Sequence, residues 1–455
     1  MPIPFLEHHT CSPLSIAIVA LSTTILLCGV QESAKFNNIM TSFNVTVLSL
    51  AVIIPLLNDS LHVDNLSPYL PNGLTGMTSG AAVLFFSYIG FDMVACLSEE
   101  VINPKVNMPL GIIGSLFCSM TIYVIVSFAV VTLAPIPFLG PDVPISNGML
   151  ANACCSMDQM TQYLSTPEVC LDPNCSPLNH PFLLPSSQFI SGGAIFGLTT
   201  AVFTALMAQP RIVYKIASDG LLPPIFAKVS ERTQVPTTAI LVNGLNIAFL
   251  ACFFNLEALA NTICLLGLLV FTFVNAAIII LRLRSEAKIS IIEIANASEV
   301  SPLNDSSQSL EEKFDYSMHM HTFILTIGVI GTSFIQKQGL SHFLIYPCII
   351  MSLFSAMSII IRVQKVPKYE SNTFQCPGVP YVPLLGITCN SYMVGSLPIY
   401  SWVLIILFIL LGLVFYFSYG IHYSALADTN KSEEDISLVK TDEVTEITSS
   451  TYDAI

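Results

Sequence analysis

The chain has 455 residues, 53% of them hydrophobic and only 10% charged, against about 25% charged in a typical soluble protein. Thirty acidic and 16 basic residues give a net charge of −14, and the basic ones are dispersed rather than gathered into a stripe, which excludes nucleic acid as a partner. Apolar residues come in runs of about twenty, the length of a bilayer-crossing helix, so the chain reads as an all-α polytopic membrane protein whose surroundings are the lipid bilayer.

In chain order, spans are predicted near 13–30, 37–57, 78–97, 109–133, 188–207, 237–254, 258–281, 322–335, 342–361, 379–395 and 399–419. Residues 1–13 carry no Lys or Arg and no small-residue cleavage site, so the first run reads as a retained span rather than a leader. The windows near 322 and 379 are short or interrupted by Gly, Pro and Asn. Eleven spans put the two termini on opposite sides. Taking alternate loops, 15 of the 16 Lys and Arg fall on one side and only Lys337 on the other. Positive charge marks the cytoplasmic side, which puts the C-terminus inside.

The assigned outer surface holds two sequons, at Asn58 and Asn65, the second followed by Pro68. The outer loop 134–187 contains Cys154, Cys155, Cys170 and Cys175, which can form disulfides in three connectivities or remain thiols. Residues 285–321 are mixed in charge and read as a flexible cytoplasmic loop between a membrane core (1–284) and a four-helix membrane region (322–424). The acidic, Ser/Thr-rich tail 425–455 reads as disordered and as a place for trafficking partners to bind.

Broken helices are tolerated in lipid only where they line a cavity, and two segments read as broken. In the first, Ala81 to Asp92, Gly90 weakens the helix mid-membrane and Asp92 puts a carboxylate into an apolar run. An intramembrane carboxylate points to function, and carbonyls unwound around a glycine can hold an ammonium. The competing reading is a kink whose second half is capped by Asp92. The second segment runs from Gly192-Gly193 and Gly197 to Gln209-Pro210-Arg211, where small residues also serve close helix packing. Glu99 and Glu100, beyond the first segment, could pair with Arg211 beyond the second as a cytoplasmic gate, or be ordinary surface charges. The sequence has no G-x-S-x-G, H-E-x-x-H, Walker A or C-x-x-C run, and His8 and His9 are adjacent and near an end of the sequence, so no enzyme, cofactor or metal site is expected.

The stretch Tyr88-Ile89-Gly90-Phe91-Asp92 with Glu99-Glu100, Asn103-Pro104 and Pro109 to Ile112 resembles the cationic amino acid transporter family of the amino acid–polyamine–organocation superfamily. So do Gln209 to Tyr214, Asp219 to Pro223, Arg232-Thr233, Cys376 to Pro383 and Tyr416 to Ile421. The resemblance runs from about Val30 to Ser424 and implies a LeuT-type inverted-repeat transporter fold. It aligns the first span here with the family's fourth, so the chain reads as N-terminally incomplete, lacking three spans and the Gly-rich carboxylate site of the first. It implies that backbone groups around Phe86, Ser87, Ile89 and Gly90 receive an amino acid's ammonium, with Asp92 holding the break or the site. It also places Asn44 where proton-coupled relatives carry a lysine, implying facilitated, potential-driven uptake of Arg, Lys or ornithine. A neutral amino acid carrier and a non-transporting sensor or inactive truncated variant are the competing functions. A plasma membrane location is expected, with the lysosome or vacuole as the alternative.

Overall fold

A computed structural model of the chain describes residues 13–28, 30–91, 94, 101–140, 143–163, 182–233, 235–254, 256–298, 305–339, 342–364 and 374–424. They are helical, with no strand among the described residues. The main helices are α1 (Pro13–Leu27), α2 (Val30–Leu57), α3 (Gly73–Leu84), α4 (Pro104–Leu133), α5 (Pro144–Cys154), α6 (Leu183–Ser218), α7 (Thr237–Phe253), α8 (Leu256–Ser298), α9 (Asp305–Lys337), α10 (Ile345–Gln364), α11 (Tyr381–Ser396) and α12 (Ile399–Phe415).

Each of the eleven predicted windows overlaps one of these helices, that of 78–97 over 78–84 only. Among the described residues, seven stretches are long and apolar enough to cross a membrane: Lys35–Leu57, Pro104–Leu133, Leu183–Ser218, Leu256–Arg282, Tyr316–Lys337, Ile345–Gln364 and Ile399–Tyr423. The windows near 13–30, 237–254 and 379–395 meet the shorter α1, α7 and α11, and that of 78–97 overlaps the end of α3. In hydrocarbon a helix is the open form that pairs its own backbone groups. Many helix hydroxyls fold back in the same way, Thr262 and Thr272 donating to the carbonyls of Ala258 and Leu268 at 2.7 Å. Along α12, Val403, Leu407, Phe408 and Leu411 are all more than half exposed, a surface suited to lipid rather than water.

The described residues fall into two compact units. One draws on Asp64–Val124 and Phe254–Ile405. Its larger core joins α8 to α11 through Ile279, Met318, Leu325, Ile359 and Ile387. A second core packs Ala82 of α3 against Cys264, Leu265 and Leu268 of α8 and Val394 of α11. Polar ties reinforce it, Asn261 donating to the Tyr400 hydroxyl at 2.7 Å and Tyr392 to Gln336 Oε1 at 2.7 Å. Lys337, the lone cation assigned outside, donates to the carbonyl of Ser396 at the end of α11.

The other unit draws on His8–Val63, Ile125–Phe253 and Ile406–Ile455. Val47, Ala51, Leu133, Met149, Leu183 and Ile190 form a core shared by α2, α4, α5 and α6. The segment beginning at 134 is itself folded: Phe138, Ala151, Cys155 and Met160 are buried together. Ser156 and Gln159 make a reciprocal capping box on the turn Met157–Gln162.

Two expectations are corrected. The segment from Gly192 to Arg211 is not broken, because α6 is continuous from Leu183 to Ser218 with Pro210 buried inside it. Its glycines serve packing: a Cβ on Gly193 would stand 2.7 Å from Val47 Cγ2, and one on Gly197 2.8 Å from Asn44 Oδ1, so α2 lies close along this face. The stretch 285–321, read as a flexible loop, is helical over 285–298 and 305–321. A helix already nucleated in the membrane propagates cheaply through Ala, Glu, Lys and Arg.

The two neighbouring glycines of α6 make an internal control. Gly193→Ala is expected to destabilise the protein by about 1–3 kcal/mol through overpacking against Val47. Gly192→Ala, where a Cβ meets nothing within 4 Å, is expected to be neutral or to stabilise by about 0.5–1 kcal/mol. The fraction surviving a heat challenge on gel filtration in detergent reads both.

Candidate functional site

The helix beginning at Gly73 stops in the middle of an apolar segment. α3 ends at Leu84, and a tighter 3₁₀ turn follows over Phe85–Tyr88. Ile89 then takes an extended conformation (φ −66°, ψ 126°), and Gly90 has φ +128°. Phe91 and Val94 are helical again. The φ of Gly90 lies where an L side chain is strained, yet a Cβ there would meet nothing within 4 Å. Glycine is therefore required by the backbone and not by crowding. The extended Ile89 turns the chain so that the carbonyls of the 3₁₀ turn lose the amides a continuing helix would supply.

The partners these carbonyls find define the site. The Phe86 carbonyl takes the Ile89 amide at 3.2 Å. The Leu84 carbonyl takes the Ser87 hydroxyl. The Ser87 carbonyl accepts from the Tyr123 hydroxyl of α4 at 3.0 Å, and Tyr123 meets the ring of Tyr88 edge-on at 5.5 Å. Just before the turn, Cys264 Sγ lies 3.8 Å from the Val83 carbonyl.

Aromatic contacts hold both sides of the break to α8. Phe271 meets Phe85 edge-on, with centroids 5.7 Å apart, and stacks on Phe91 at 5.0 Å and 18°. Gly267, one turn earlier, leaves room for Phe85, since a Cβ there would lie 3.2 Å from its ring. Each such pair is worth about 0.5–1.5 kcal/mol beyond area burial, so one side chain of α8 holds Phe85 and Phe91, on either side of the turn, at a defined separation. Neither Tyr123 nor Phe271 was identifiable from the sequence, because both reach the break from distant helices.

Among the predicted site residues, Phe86, Ser87, Ile89 and Gly90 lie together at the break. Asp92, Glu99 and Glu100 lie outside the described residues, and Arg211 is half-buried in α6. Asn44 is half-buried in α2, its amide beside Gly197. Asn58 donates its Nδ2 to the Ile54 carbonyl at 2.8 Å, with Ser60 of the same sequon buried; Asn65 lies in the short turn Val63–Leu66. Cys154 and Cys155 are disulfide-bonded, as is Cys252 in the last turn of α7, which the sequence reading did not group with them. Cys170 and Cys175 lie outside the described residues. No group of three or more His, Cys, Asp or Glu suited to a metal occurs among the described residues.

The amino acid permease family model matches residues 6–147 and 187–354, and a model of the C-terminus of that family matches 374–424. Among curated relatives, "Cationic amino acid transporter 4, vacuolar" of Arabidopsis thaliana is 30% identical over 91% of this chain and 70% of its own length. "Cationic amino acid transporter 4" of Homo sapiens is 25% identical over 93% of this chain and 68% of its own. The "Methylthioribose transporter" of Bacillus subtilis (strain 168) is 33% identical over 58% of this chain and 51% of its own. These relatives are transporters rather than enzymes. With the family model spanning well over half of the chain, and the broken helix lying inside the matched region, the chain belongs to the cationic amino acid transporter family of amino acid permeases.

Proposed function

We propose that the chain carries cationic amino acids such as arginine, lysine and ornithine across a membrane by alternating access, with the break in α3 as the substrate site. The observation that supports this reading is the turn from Phe85 to Gly90, where backbone carbonyls leave helical register inside an apolar segment. A carbonyl that a continuing helix would have paired is an acceptor for an ammonium, and half-helix ends at mid-depth are the usual form of such a site. Asp92, next to the break in sequence, adds a carboxylate for a cation. An amide at Asn44 rather than a lysine favours uptake driven by the membrane potential over proton coupling. Glu99, Glu100 and Arg211 serve in this reading as a cytoplasmic gate. Eleven crossings with the C-terminus inside and the plasma membrane as the location complete it. Asn58 and Asn65 are then glycan acceptors on the outer surface, and Cys154, Cys155, Cys170 and Cys175 are disulfide candidates in the same outer loop.

The test is labelled arginine uptake into proteoliposomes holding the full chain. An inside-negative potential of about 100 mV contributes about 2.3 kcal/mol per charge, enough for roughly fiftyfold accumulation of a monovalent cation at equilibrium. Saturable, potential-stimulated uptake is expected. Folded protein that moves neither arginine nor lysine, nor neutral amino acids nor methylthioribose, would remove the transport reading; uptake of neutral compounds alone would remove only the cationic one.

Two variants probe the site. Asp92→Asn is expected to lower arginine uptake about tenfold, the loss of one interaction with a charged group; unchanged rate and preference would exclude a role for the carboxylate. Gly90→Ala is expected to cost about 1–3 kcal/mol of stability through its φ alone. Gly80→Ala in the regular part of α3, where a Cβ also meets open space, should cost nothing.

A further inference from the structure

The hydrogen bond at the break has a direction, and the direction restricts what the site can recognise. Tyr123 spends its one O–H on the Ser87 carbonyl at 3.0 Å. A phenol has a single donor and two lone pairs, so with its proton committed the oxygen can only accept from anything else that arrives. The edge contact with Tyr88 holds the ring in place. A donor bonded to a carbonyl is also polarised, which strengthens its oxygen as an acceptor. A carbonyl oxygen has two lone pairs, and the Tyr123 hydroxyl engages one of them.

We propose that the Tyr123 hydroxyl is a ligand for the α-ammonium of the substrate, acting beside the Ser87 carbonyl that orients it. The inference rests on the reading of the break as the ammonium site and adds to it a side chain from α4. An ammonium carries three donors and no acceptor, so it matches a carbonyl and an acceptor-only hydroxyl side by side. A carboxylate or a neutral hydrogen-bond acceptor at this place would meet two acceptors and be rejected. Tyr123 therefore contributes to selectivity for the amine end of the substrate, whatever its side chain.

Tyr123→Phe removes the hydroxyl and keeps the ring that meets Tyr88. Arginine uptake in proteoliposomes and inhibition by two analogues form the test: agmatine, which keeps an amine and lacks the carboxylate, and 5-guanidinopentanoate, which lacks the α-amine. The KM for arginine and the inhibition constant for agmatine are expected to rise about tenfold, the loss of one hydrogen bond to a charged group. The inhibition constant for 5-guanidinopentanoate is expected to stay within twofold. A purely structural role would shift kcat or heat stability, or move both analogues alike, and that outcome overturns the proposal. So does an arginine KM within twofold of the parent. If the phenylalanine variant does not fold, 3-fluorotyrosine at position 123 keeps the hydroxyl while weakening its oxygen as an acceptor. It should raise the arginine KM by a smaller factor, and an unchanged KM there overturns the proposal too. A parent chain with no uptake ends the transport reading and this inference together; parent uptake with an unaffected variant ends this inference alone.

Discussion

Inside a bilayer no water is at hand to pair a stray carbonyl, and this constraint makes the turn from Phe85 to Gly90 the point on which the surrounding structure depends. Among the described residues the long apolar segments obey it by running as helix, with hydroxyls such as those of Thr262 and Thr272 folded back onto carbonyls a turn away. At Ile89 and Gly90 the chain leaves the helix, and its neighbours compensate. Tyr123 supplies a donor to Ser87, the Ile89 amide closes on Phe86, and Ser87 turns its own hydroxyl to Leu84. The polar cost is met by groups that still leave acceptor capacity at the break.

The break is also held mechanically. Without support, a glycine at φ +128° next to an extended isoleucine would be a loose hinge. Phe271 contacts the aromatic residues on either side of it, and Ala82 sits fully buried against α8 just before it. The unwound carbonyls are thus presented at fixed positions, which is what a site needs if binding is not to be offset by ordering it first.

Much of this was legible in the sequence, and the reasons for what was not are specific. Long apolar runs announce helices, and a glycine followed by an acid within such a run announces an interruption, so α3 was read as broken where it breaks. The same rule failed on α6. Glycines four apart and a proline looked like a second interruption, but Gly193 and Gly197 admit Val47 and Asn44 of α2, and a packed helix tolerates Pro210. Local sequence does not say whether a small residue frees the backbone or makes room for a neighbour. Tyr123 and Phe271 were invisible for a related reason, since an aromatic residue in an apolar helix is unremarkable until the fold brings it to a defect elsewhere. The helical character of 285–298 was missed because charge and serine were taken as signs of a loop, whereas a helix already in place carries such residues readily.

The length of α8 has a geometric consequence. Its 43 residues extend about 64 Å at 1.5 Å per residue, roughly twice the hydrocarbon thickness of about 30 Å. Phe271 lies about a third of the way along that rod, and Ser298 at its end is about 40 Å further along by the same rise. A tilt of about 5° pivoting at Phe271 would sweep the far end through about 3.5 Å by that geometry. The helix whose Phe271 contacts Phe85 and Phe91 thereby has the geometry of a lever arm, in which a small tilt at one point becomes a displacement of several ångströms at the far end.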